Sequence, residues 1–184
     1  AGIIHKSLNP NNILLGRDLR NRETVKIMNF GALTPDYAQN DDEENFHPNL
    51  KYTAPEQDSG ISEPDERSDI YSLGVIFYET LAGETPFNGV NQTDLMFKKS
   101  EELPAPLSAF RSDLPEGVEA VILKALAKNP TMRQQSAAEF VEELNQATDY
   151  SAEQETIVVA RAAETDAAQN NIWKTAFIVL VGVC

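Results

Sequence analysis

Polar side chains that could do chemistry crowd into the first third of the chain. His5-Lys6-Ser7-Leu8-Asn9-Pro10-Asn11-Asn12 runs straight into the apolar triplet Ile13-Leu14-Leu15. Asn29-Phe30-Gly31 follows a second β-rich run, and Ala54-Pro55-Glu56 closes a long polar stretch. Ser7 offers a hydroxyl, but an unassisted hydroxyl is a poor base near neutral pH and has no charge to orient a nucleophile. Two histidines, His5 and His47, leave little for a His-based metal site. The lone cysteine, Cys184, excludes an internal disulfide and a Cys-rich zinc site.

The elements that must position these residues are legible from punctuation. Residues 13–15 and 24–28 are short β-rich runs separated by polar Gly16 to Glu23, which predicts a hairpin. Residues 32–63 lack sustained periodicity and contain the like-charge run Asp41-Asp42-Glu43-Glu44, so they read as a long loop. From Ser68 to Leu81 apolar side chains cover most of a helical circumference, which predicts a buried helix. Gly74 would allow close approach of a neighbour, and Gly83 stops the helix. A short helix over Asn91 to Lys99 and another after Pro115 up to Asn129-Pro130 follow. Ser136 and Glu139 form a capping box that starts a last helix with Phe140, Val141 and Leu144 on its core face.

Composition narrows the function classes. Fifteen Lys and Arg against 29 Asp and Glu give a net charge of −14, which argues against nonspecific nucleic-acid binding. From Gln134 onward two basic and eight acidic residues place −6 of that charge in the last helix and an Ala- and Gln-rich stretch. A hydrophobic fraction of 41 % supports an ordinary core and excludes a wholly disordered chain. Residues 176–184 are apolar throughout, shorter than the roughly 20 residues a spanning helix needs. They read as the start of a span, with packing on the domain as the plainer alternative.

In their order, with the hairpin between the first two and the loop before the third, the three polar clusters resemble the catalytic-loop, Asp-Phe-Gly and Ala-Pro-Glu motifs of the protein kinases. The catalytic-loop pattern matches at His5, Leu8 and Asn12. Ser68-Asp69-Ile70-Tyr71-Ser72-Leu73-Gly74 resembles the start of the central helix of a kinase C-terminal lobe. Lys128-Asn129-Pro130 and Arg133 resemble its late segment. The likeness covers about residues 2–148 and is to Ser/Thr-type members, and Pro55-Glu56-Gln57 suits the bacterial membrane-anchored group. It implies a mainly α fold with a small β-hairpin: a kinase-like C-lobe lacking its N-terminal lobe and the helix before the catalytic loop. It also implies a Glu56–Arg133 ion pair, and an Asp69 carboxylate accepting backbone N–H groups around His5. Without the preceding helix, an exposed apolar patch is expected on the helix at 68–81.

The departures from the family pattern carry the functional reading. In an active kinase the catalytic-loop Asp takes the substrate hydroxyl's proton, and the Asp of Asp-Phe-Gly holds Mg²⁺ on ATP. The corresponding residues here are Ser7 and Asn29. Asn9 stands at the position of the catalytic-loop Lys, and Asn49 at that of the loop Thr which contacts both. Asn12 remains beside Asn29 as the other nucleotide–metal position, a weak Mg²⁺ site if any. The residues that hold the fold (His5, Phe30, Gly31, Glu56, Asp69 and Arg133) stay. This is the pattern of a pseudokinase, with a slow Ser/Thr kinase and a partial or decayed reading frame as alternatives.

The resemblance thus implies a partial C-lobe over 1–148, an acidic tether over 149–171, and the start of a transmembrane helix over 172–184, cut at both ends. No glycine loop or Val-Ala-x-Lys strand is found, so this fragment is expected to hold no cofactor, ATP and Mg²⁺ belonging to a full-length protein. A single-pass anchor with the domain on the cytoplasmic face fits Trp173 and Lys174 before the apolar run. Protein partners are expected, an active kinase among them, and no nucleic acid. Thr34, Tyr37 and Thr53 are hydroxyls open to phosphorylation, and Lys6 replaces the arginine that would grip a loop phosphate. The acidic run 41–44 reads first as a solvated loop, with standing negative charge near Lys6 as the sharper alternative.

Overall fold

The two β-rich runs pair as an antiparallel hairpin, β1 (Ile13–Arg17) and β2 (Glu23–Ile27), in a register from Ile13↔Ile27 to Arg17↔Glu23. Asp18 closes the turn, its carboxylate accepting the N–H groups of Arg20 and Arg22, so pairing reaches further into the polar stretch than the sequence pattern marks. These strands belong to a computed structural model that describes residues 3–31, 48–60 and 63–148. Thr34, Tyr37, the acidic run 41–44, the tether and the apolar C-terminal run lie outside the described residues.

Helices make up most of the remainder. Helix α1 (Pro55–Ser59) breaks what reads as continuous loop. It is one turn long, with Pro55 in its first turn and the Gln57 side chain accepting the Ala54 N–H at 3.0 Å, too short to show a periodicity. Helix α2 (Glu66–Ala82) starts two residues before Ser68 because Asp65 caps it, accepting the Arg67 N–H. It ends at Gly83, whose φ of 82° lets its N–H return to the Glu79 carbonyl. Asn91 caps α3 (Gln92–Glu101), and Pro115 precedes α4 (Glu116–Ala125). Helix α5 spans 137–148. The Ser136 hydroxyl accepts the Glu139 N–H as expected, but the Glu139 carboxylate reaches the N–H of Gln135, not of Ser136. That carboxylate also pairs with Lys124 of α4, which draws it to the side.

The core forms around α2. A methyl on Gly74 would sit 2.9 Å from the Ala125 Cβ, so glycine is what lets α4 lie this close. Phe77 meets Phe140 of α5 with ring centroids 5.4 Å apart. Ala54 and Leu107 pack into the same cluster with no exposed surface. The exposed apolar patch expected on α2 does not occur. Leu73 and Ala82 are partly buried, and the other apolar positions, from Ile70 to Leu81, are buried. A helix apolar on all sides is surrounded on several faces at once, by α4, α5, Ala54 and Leu107. The large exposed side chains on the hairpin side of the molecule are instead Ile3, Leu14, Leu15, Leu19 and Phe30.

The mainly α body with one two-stranded sheet is the arrangement expected of a kinase-like C-lobe without an N-lobe sheet. Among the described residues no helix is long and apolar enough to cross a membrane.

Candidate functional site

The segment from His5 to Asn12 is shaped by one carboxylate. Asp69, on the first turns of α2, accepts the N–H of His5 at 2.7 Å and of Lys6 at 2.8 Å. Burial pushes the Asp69 carboxyl up, while these two donors pull it down. Between them Lys6 takes a left-handed φ of 68°, a strained conformation for a residue with a side chain. The Gln57 side-chain amide donates to the Lys6 carbonyl at 2.8 Å, tying the strained residue to α1.

His5 is buried, and its contacts fix its tautomer. Its Nδ1 accepts the Ser7 N–H at 3.3 Å, so the proton sits on Nε2, which donates to the Met28 carbonyl at 2.8 Å. Phe30 packs on the His5 ring at a centroid distance of 4.8 Å, yet remains 55 % exposed. The Gly31 N–H donates to the His5 carbonyl, at a glycine φ of 70°.

Beyond His5 every side chain that carries the site is neutral. The Ser7 carbonyl accepts two amide donors, from Asn9 at 2.9 Å and Asn12 at 2.8 Å. Asn9 also caps the 3₁₀ turn Pro10–Asn12 through its carbonyl, which accepts the Asn11 N–H. Asn29, at a φ of 61°, donates its amide to the Asn12 carbonyl oxygen at 2.9 Å. Ser7, Asn9, Asn12 and Asn29 therefore converge in one connected network. Asn49 sits in the 3₁₀ turn Pro48–Lys51, its carbonyl accepting the Tyr52 N–H.

The anchor below this site is fully charged. Arg133 donates bidentately to Glu56, at 2.7 and 2.8 Å, which forms the ion pair expected from the sequence. Its other three N–H groups reach the carbonyls of Ala127, Arg67 and Lys128, so all five donors are used. Burial alone would raise Glu56, but Arg133 and the Ser68 hydroxyl hold its carboxyl below the usual range. The Tyr71 ring lies under the guanidinium at 4.9 Å.

Sequence reading missed a second buried charge. Lys99 of α3 has no exposed surface and donates to the Leu50 carbonyl, the Thr53 hydroxyl and the Asp58 carboxylate. Burial lowers the Lys99 ammonium and raises the Asp58 carboxyl, so desolvation dominates for both partners. The Thr53 hydroxyl is buried and also donates to Asp58, which corrects its reading as an open phosphorylation site. Gln57 was missed as a site residue too. Its place directly after Pro55-Glu56 is the one signal that pointed to it.

Comparison with known proteins gives a consistent relationship. A model of the protein kinase domain matches residues 1–147. The chain is 39 % identical over 142 residues to serine/threonine-protein kinase PknB of Mycobacterium tuberculosis, an alignment covering 76 % of this chain and 22 % of that protein. PknB of Mycobacterium leprae is 38 % identical over 141 residues, with the same coverage of 76 % and 22 %. Serine/threonine-protein kinase A of Synechocystis sp. is 39 % identical over 137 residues, covering 73 % of this chain and 26 % of that protein. The chain thus spans about a quarter of the length of these relatives.

Proposed function

The chain belongs to the protein kinase domain family, and from that premise we propose that it is a catalytically impaired Ser/Thr-kinase-like lobe. It would act as a membrane-tethered regulatory or scaffolding module on the cytoplasmic face. One observation carries this reading: the positions that would take a proton, hold a cation and contact the transferred phosphate are Ser7, Asn29 and Asn9, all neutral. Phosphoryl transfer is catalysed almost wholly by positioning and electrostatics, so losing two carboxylates and a lysine at one site removes most of what the lobe could supply.

What the remaining residues can do is bind and hold shape. Asp69, His5 and Gln57 keep the loop in its strained form, and Glu56 with Arg133 fixes the end of the long loop to the lower helices. A lobe held this firmly can present a constant surface to a protein partner, with an active kinase as the partner class that a kinase-like surface suits best. Residues 149–171 would serve as the tether and 172–184 as the start of the anchor. ATP and Mg²⁺ would enter only with an upstream lobe.

The test is phosphotransfer by the full-length protein, with Ser7→Asp plus Asn29→Asp as a gain-of-function control. The wild type is expected to incorporate no more phosphate than a blank, and the double variant to incorporate measurably more. Wild-type turnover clearly above the blank would overturn the proposal in favour of a slow Ser/Thr kinase.

A further inference from the structure

We infer that Asn29 is a replacement for a bridging cation, and that its amide bond to Asn12 makes this site independent of divalent metal. The inference rests on the impaired-kinase reading and sharpens its metal chemistry.

The hydrogen-bond network leaves little freedom in how the two amides are oriented. The Ser7 carbonyl can only accept, so Asn12 must turn its Nδ2 towards it, at 2.8 Å. That turns the Asn12 Oδ1 towards Asn29, where only an N–H donor is satisfied, and Nδ2 of Asn29 lies there at 2.9 Å. A carboxylate at position 29 would set oxygen against oxygen. An aspartate therefore needs a cation between the two side chains, and an asparagine does not.

Mg²⁺ does not suit what is present. It binds through one or two carboxylates together with phosphate and water oxygens. Here both candidate ligands are neutral amides, and the Asn12 oxygen is already engaged. Among the described residues no group of three or more His, Cys, Asp or Glu could hold a metal ion.

The segment after β2 is also fastened to the loop without any ion. Met28 N–H donates to the Asn12 carbonyl, His5 Nε2 to the Met28 carbonyl, and Gly31 N–H to the His5 carbonyl. The Asn29–Asn12 bond is the side-chain member of this set. It joins two segments 17 residues apart, at the place where a cation would otherwise join them.

Thermal melting of the full chain in EDTA and in saturating MgCl₂ tests this, comparing wild type with Asn29→Asp. Wild type is expected to melt at the same temperature in both buffers. The variant should melt about 2–4 °C lower in EDTA, having lost one part-buried hydrogen bond from the exposed Asn29 and gained a repulsion, and MgCl₂ should restore most of the loss. A second measurement needs no variant: Mn²⁺ titrated into ¹⁵N-labelled wild type should leave the Asn12 and Asn29 side-chain amide signals unbroadened. Stabilisation of the wild type by MgCl₂, broadening of those two signals, or an Asn29→Asp melting point equal to wild type in EDTA would each overturn the inference. A chain that binds Mg²⁺ yet transfers no phosphate would sink this inference alone, and one that transfers phosphate would sink the reading beneath it.

Discussion

Two pairs of side chains join distant segments of this molecule by different means. Glu56 and Arg133, 77 residues apart, meet as a buried and bidentate ion pair with every guanidinium N–H satisfied. Asn12 and Asn29 meet as two neutral amides. Buried charge is costly to desolvate and stabilises only as far as geometry compensates it, whereas amide pairs carry a small desolvation cost and give a smaller return. The lobe keeps the expensive kind of link where chain must be anchored and has the inexpensive kind where chemistry would occur.

The largest expected effect breaks the charged side of that contrast. Arg133→Ala leaves Glu56 buried against Ser68 and α2 without its partner, and should cost about 3–5 kcal/mol in urea denaturation. Asn29→Ala should cost only about 1 kcal/mol, since it deletes a single neutral hydrogen bond. Equal losses for the two would abolish the distinction.

Next in size is the Lys99–Asp58 pair, which asks whether a buried charge can be dispensed with. Lys99→Met should destabilise by about 3 kcal/mol by stranding Asp58, while Lys99→Met with Asp58→Leu and Thr53→Val should recover most of that loss. A triple variant as unstable as the single one would show that the polar cluster is needed in its own right.

The smallest effect is read by pH. Lys128 lies over the Phe87 ring at 3.9 Å and donates to the Lys99 carbonyl, and burial pushes its ammonium down to about 8. Between pH 8 and the ordinary lysine value the unfolded chain binds more protons than the folded one, so stability should rise with pH across that window. Buried Lys99 adds a slope of the same sign, so Lys128→Met should flatten the rise without abolishing it. The gain ends near pH 10, where tyrosines raised by burial, Tyr52, Tyr71 and Tyr78, begin to favour the folded state less. Stability that falls between pH 8 and 10 would contradict the burial of Lys128.

Much of this was legible in advance, and the reason is local. Asn91 and Ser136 sit where caps belong, Gly83 where a helix must end, and the spacing of Ile70, Leu73, Phe77 and Leu81 marks α2 before any fold is known. The likeness to kinase motifs paired Glu56 with Arg133 and set Asp69 beneath the backbone around His5. The caps, the helix stop and the apolar spacing depend on residue type and short-range periodicity, whereas the long-range pairings were implied by the resemblance to kinase motifs. Tertiary structure decided the rest. It buried Lys99, Asp58 and Thr53, polar residues that a sequence assigns to the surface because their partners lie 41 and 46 residues away. It covered the faces of α2 where an open patch was expected, and it turned the amide of Asn29 onto Asn12. The sequence shows an amide at position 29; only the arrangement of donors and acceptors in space shows which group that amide holds.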